Sequence, residues 1–150
     1  MTASITEYFT NNNRMRRLTQ TWFQEFLRSY NVSTAQSEVL ILLLKQPEPL
    51  QPKEIARCLQ LTPGAVSQLV DSLVENGHVI RTPSPTDRRS TAISLKEDGN
   101  DMLMELRRHQ KNFQHDMSEI LTDDEIEQLL NTQTKILAYL ERSTNGKNQS

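Results

Sequence analysis

The sequence predicts a mainly α-helical fold carrying one small β-hairpin. Apolar residues recur at three- and four-residue steps through most of the 150 residues. Only four glycines and 5% aromatic residues are present, a composition that suits helices better than a large sheet. One segment breaks the helical period. HVIRTPSPTDRRSTAISL, from His78 to Leu95, reads as two short strands, His78 to Arg81 and Thr91 to Leu95, around a proline-bearing loop with Asp87, Arg88 and Arg89 at its tip.

Taken in order, Ile5, Tyr8, Met15, Leu18, Trp22, Phe26 and Tyr30 draw an apolar stripe along a long first helix, and Phe9, Phe23 and Leu27 widen it. So wide a stripe needs two neighbours. Arg14, Arg16 and Arg17 on the same helix could touch phosphate, although a basic run is more often a solvated face. Ser33 and Gln36 form a capping box ahead of VLILLL, so a second helix starts near Thr34 and ends before Pro47, and its composition makes it core. After a turn-rich stretch in which Leu50 is expected to add one strand residue to the hairpin, Pro52 opens a third helix through Leu59. Ile55, Ala56 and Leu59 face inward there, and Cys58 beside them is read as a small core residue, the alternative being a redox sensor, which would need an exposed, low-pKa thiol.

The next helix has the most informative pattern. Thr62 caps it, Pro63 suits its first position, and Asn76-Gly77 closes it. Val66, Leu69, Val70 and Leu73 share one face, while Gly64, Ser67, Gln68 and Asp71 fall opposite. With the third helix and the Gln60-Leu61 connection it makes a helix-turn-helix. Beyond the hairpin, Met102, Leu103, Leu106, Phe113, Met117 and Ile120 stripe another long helix. Thr122 and Glu125 form a second capping box, and Ile126, Leu129, Leu130, Gln133, Ile136, Leu137 and Leu140 stripe the last one.

A helix with a polar outer face, followed by a cationic hairpin, suits duplex DNA. The helix fits the major groove, and an arginine can enter the narrow, electronegative minor groove beside it. Gln68 is the one long side chain of that face with both a donor and an acceptor, as bidentate pairing with adenine requires. Ser67 can serve base or phosphate, and Thr62 and Gly64 sit where helix-start amides meet a phosphate.

Ile55-Ala56, the Thr62 to Asn76 helix, Gly77-His78-Val79-Ile80-Arg81, Asp87-Arg88-Arg89 and Leu95 followed by Gly99 together resemble the MarR family of winged helix-turn-helix regulators. The likeness extends over nearly the whole chain, and its most specific part is the wing pattern of aspartate, any residue, arginine at Asp87 and Arg89. Lys96 stands where the family usually has a helix-capping threonine, although Glu97 and Asp98 still suit the helix dipole. The resemblance implies one domain over residues 1–143, with a winged lobe at 34–95 and dimerisation helices at 1–31 and 97–143; the polar tail at 144–150 reads as disordered. It implies a homodimeric repressor on a pseudo-palindromic operator, with Arg89 in the minor groove, Asp87 holding Arg89 and the loop, and Arg88 on phosphate. It further implies a crevice for a small aromatic or phenolic ligand, whose apolar walls Trp22, Phe23, Phe26 and Tyr30 would supply; the same four residues also read as dimer core.

Charge and composition agree. The net charge is −2, but residues 53–96 carry six basic and four acidic groups while residues 97–150 carry six and eleven, so the positive field belongs to the reading segment. No apolar run is long enough to span a membrane and no signal-peptide pattern opens the chain, so the expected location is the cytoplasm. Against an enzyme, His78, His109 and His115 lack metal-site spacing, and neither a phosphate loop nor a nucleophile elbow is present. One cysteine forms no internal disulfide or thiolate cluster. No cofactor or metal is expected. The remaining alternative is a winged helix that grips a protein, which the lack of aromatics on the outer helix face disfavours.

Overall fold

The computed structural model describes residues 4–87 and 89–145. Its order is α1 (Ile5–Ser29), α2 (Thr34–Leu44), α3 (Pro52–Leu59), α4 (Pro63–Glu75), β1 (Val79–Pro83), β2 (Thr91–Leu95), α5 (Glu97–Ile120) and α6 (Asp123–Asn145). Two compact units divide the chain, residues 1–107 and residues 108–150, with α5 contributing to both. Among the described residues, no helix is long and apolar enough to cross a membrane.

The first unit is a mainly helical lobe with a hairpin wing. Val39 and Leu40 of α2, Ile55 of α3, Val66 and Leu73 of α4 and Ile93 of β2 are all fully buried in one cluster, which Leu27, Val32, Met102, Leu103 and Leu106 complete. Each such side chain stabilises the lobe by about 1.5–3 kcal/mol relative to exposure. Helix starts follow the expected chemistry: Ser33 Oγ accepts the Gln36 N–H while Gln36 Oε1 accepts the Ser33 N–H, and Thr62 Oγ1 accepts the Ala65 N–H. Strands β1 and β2 pair antiparallel from Val79↔Leu95 to Pro83↔Thr91, and Leu50 adds a single bridge to Ile93.

Two sequence expectations are corrected. The first strand begins at Val79 rather than His78 and runs on to Pro83. The reason lies in how α4 ends: Gly77, at φ 77°, donates to Val74 O and His78 N–H donates to Leu73 O, the paired bonds of a Schellman closure, so the His78 amide belongs to the helix end. Cys58, expected inside, is exposed. On a helix at about 100° per residue, Ile55, Ala56 and Leu59 define a direction from which Cys58 stands about 110° away.

Buried His78 is the joint of the lobe. Its Nε2 donates to Tyr30 O at 3.1 Å, since a carbonyl can only accept, and its own carbonyl accepts the Lys96 N–H. The first turn of α5 then crosses over the same residue so closely that a Cβ on Gly99 would lie 2.3 Å from His78 O.

The second unit holds the rest of α5 and α6. Thr122 and Glu125 make their capping box, and the Thr122 backbone and hydroxyl donors hold the Glu125 carboxyl below its usual range. Among the described side chains of α6, residues 123–144, none is fully buried; Leu129, Leu130, Leu137 and Leu140 are all exposed. It continues through Asn145, two residues into the stretch expected as tail, and residues 146–150 lie outside the described part. On α1 the same holds for Ile5, Phe9, Met15 and Leu18, while only its last turns join the core.

Gly99→Ala should therefore force the start of α5 off His78 and destabilise the protein by about 1–3 kcal/mol, as overpacking against backbone does. Urea denaturation reads this directly, and an unchanged midpoint would show that the crossing can relax.

Candidate nucleic-acid interface

Four of the expected reading residues lie together on the first turns of α4. Thr62, Gly64, Ser67 and Gln68 are exposed, while Val66 and Val70, on the opposite face, are buried. Because Pro63 has no N–H and Thr62 Oγ1 takes that of Ala65, the Gly64 amide is the donor of this turn that the cap does not consume. A Cβ on Gly64 would meet nothing within 4 Å, so nothing inside the protein requires glycine there.

Asp71, the carboxylate that follows Gln68 on this face, is bound by Arg81 of β1, with 2.5 Å between Arg81 Nη2 and Asp71 Oδ1. Both side chains are largely exposed, so the pair contributes at most about 1 kcal/mol. Its local effect matters more, because the pairing offsets a negative charge on the outward face and joins that face to the wing. Ten positions apart and on different elements, the two residues share no periodic signal in the sequence.

The wing loop is an exposed, internally bonded turn. Asp87 Oδ1 accepts the Arg89 backbone N–H at 2.9 Å, and the Asp87 carbonyl accepts both the N–H and the hydroxyl of Ser90. Asp87 thus bonds within the loop, to the backbone of Arg89 and to Ser90. The Arg89 guanidinium makes no ion pair among the described residues and is exposed. Arg88 lies outside the described residues.

The expected ligand walls form a row. Trp22 stacks on Phe26 with ring centroids 6.4 Å apart, and Phe26 meets Tyr30 at 5.2 Å. Phe23, Phe26 and Tyr30 pack on the hydrophobic core, and Trp22 remains 37% exposed. A shallow depression of about 420 Å³ is lined by Tyr30, His78, Asp98, Asp101, Met102 and Glu105, so of the four aromatics only Tyr30 borders it. Three carboxylates in that lining are the wrong charge for an aromatic acid. Among the described residues, no group of three or more His, Cys, Asp or Glu side chains is arranged to hold a metal.

Comparison with known proteins bears on this arrangement. Residues 30–90 match the model described as MarR family. The chain is 31% identical over 127 residues to the HTH-type transcriptional regulator PapX of Escherichia coli, covering 84% of this chain and 77% of that one. It is 32% identical over 129 residues to PrsX of the same species, covering 85% and 78%. Among solved structures, the S. aureus MepR–DNA complex shares the fold at TM-score 0.79 with 22% identity, over 85% of this chain and 96% of that one. YusO from Bacillus subtilis does so at 0.73 with 25% identity, over 91% and 99%.

Gly64→Ala offers a test of what stands against the α4 start. With free space around the added methyl, removing a helical glycine should stabilise the fold by up to about 1 kcal/mol. If a DNA backbone approaches this turn, the same methyl should weaken duplex binding. Thermal melting and a gel-shift titration should move in opposite directions; gains in both would place the duplex elsewhere.

Proposed function

Because the chain belongs to the MarR family, and is a DNA-binding transcriptional regulator rather than an enzyme, we propose that it acts as a homodimeric repressor whose α4 helices read a pseudo-palindromic operator. The observation that carries the reading is the two-sidedness of α4: Val66, Val70 and Leu73 are buried on one face, and the other presents Gly64, Ser67 and Gln68 to solvent. In this reading Gln68 pairs with an adenine edge, Ser67 serves base or phosphate, and Thr62 and the Gly64 amide meet the backbone. Arg89 enters the minor groove from a loop that Asp87 holds, and Arg88 contacts phosphate. A winged helix used to grip a protein would leave this polar face without purpose.

Dimerisation is supported by what the single chain leaves uncovered. Ile5, Phe9, Met15 and Leu18 on α1, and Phe113, Met117, Ile120, Leu129, Leu130, Leu137 and Leu140 on α5 and α6, are all substantially exposed. A second copy covering these stripes would present two α4 helices, and half-sites would then lie about one helical turn apart or a multiple of it. Release by a small ligand belongs to the same proposal. The Trp22–Phe26–Tyr30 row, with its acidic neighbour, favours an uncharged phenol over an aromatic acid.

Two measurements test these readings. On a duplex selected from a random pool by the wild-type protein, Gln68→Ala should cost about 1–3 kcal/mol and relax preference at one base pair per half-site, with little change in salt slope. Arg89→Ala should weaken binding without unfolding the protein; equal loss on random and selected DNA for Gln68→Ala would make Gln68 a backbone contact. Sedimentation at micromolar concentration should show a dimer, and Leu137→Glu should shift it to monomer, since a charge in an apolar interface core is costly. A well-folded wild-type monomer would defeat the two-half-site scheme.

A further inference from the structure

We propose that Ser84 and Gln51 form a latch that sets the position of the wing loop, and with it Arg89, relative to the helix-turn-helix. Ser84 opens the loop, and its side chain is an exception to its surroundings: it is 4% exposed, while Pro83, Pro85, Thr86 and Asp87 around it are exposed. Gln51 Nε2 donates to Ser84 Oγ at 3.0 Å across 33 residues of sequence. The same hydroxyl lies 3.2 Å from Thr86 Oγ1, and the Ser84 N–H closes the loop base on Ser90 O at 2.8 Å. A buried hydroxyl with these partners is a point where the loop is held, because leaving it unpaired is unfavourable.

The other end of the latch is itself fixed. Gln51 directly precedes α3, and its N–H donates to the Glu54 carboxylate at 2.8 Å. Its neighbour Leu50 exchanges both backbone bonds with Ile93 of β2. Gln51 therefore carries the position of α3 into the loop. The Arg81–Asp71 pair ties β1 to α4 but sits lower in the strand, two residues before Pro83. Beyond Ser84, the bonds described for the loop are its own, from Asp87 to Arg89 and Ser90. Without the Gln51 bond, the loop loses its bearing on the rest of the lobe, and its internal bonds open more readily. Ser84 and Gln51 are thus positioning residues; they act through Arg89, and this role rests on the wing reading given above.

The test uses the full chain with Gln51→Leu, Ser84→Ala and the double variant, read in two ways. In the DNA-free protein, NMR amide exchange at Ser84, Arg89 and Ser90 should quicken about threefold to tenfold in either single variant, as loss of one hydrogen bond implies, while amides of α4 stay unchanged. The double variant should be no faster than Ser84→Ala alone. Unaltered loop exchange in Gln51→Leu overturns the latch, whatever happens to binding. On a duplex selected by the wild-type protein, the penalty of Arg89→Ala should shrink by about fivefold in the Gln51→Leu background, while that of Gln68→Ala stays the same. Equal penalties of Arg89→Ala in both backgrounds also overturn the proposal. If Arg89→Ala is silent in the wild-type background, the wing reading is what fails, and the exchange rates still decide whether the latch exists.

Discussion

One backbone crossing governs the reading lobe: the start of α5 lies on His78, with Gly99 against the His78 carbonyl. Three directions are set at that place. The Schellman bonds that end α4 consume the His78 amide, the carbonyl begins the pairing that leads into β1 and β2, and the imidazole reaches Tyr30 at the end of α1. The angle between helix and wing is therefore a backbone matter, settled before any surface side chain takes part. Only a residue without a Cβ can let two main chains approach so closely.

Electrostatics on this chain is a question of place. An overall charge of −2 would discourage a polyanionic partner if it were spread evenly. Instead, carboxylates gather on α5 at Asp98, Asp101 and Glu105 and in the first turn of α6, while Asp71 beside Gln68 is offset by Arg81. Screening over roughly 8–10 Å at ordinary ionic strength confines what remains to the surface each group occupies.

Much of the fold was legible because it rests on local chemistry. Ser33 with Gln36, Thr62 with Pro63, Asn76 with Gly77, and Thr122 with Glu125 each announce a helix end through neighbours three or fewer residues apart. What escaped involves distance or direction. The Asp71–Arg81 and Gln51–Ser84 pairs join elements that only the fold brings together. Nearness in sequence to Ile55 and Leu59 does not put Cys58 on their face, and the bonded role of His78 in closing α4 has no periodic signature. Among candidate site residues, the α4 set was legible as a face. The bond from Asp87 to the Arg89 backbone was not, since sequence names two charged side chains and suggests that they meet each other.

Helix α6, with no fully buried side chain among its described residues 123–144, has a consequence for the life of the molecule in a cell. A helix of this kind gains little from its own turns, since propagation alone leaves isolated helices marginal in water. Its persistence depends on what covers it, and if that cover is another copy, mass action sets how much of the population is protected at any moment. Newly made chains at low copy number would then be the ones proteases reach first, and accumulated chains the ones they spare. Abundance would feed back on survival, giving a regulator of this design a sharper threshold between absent and present than its rate of synthesis alone provides.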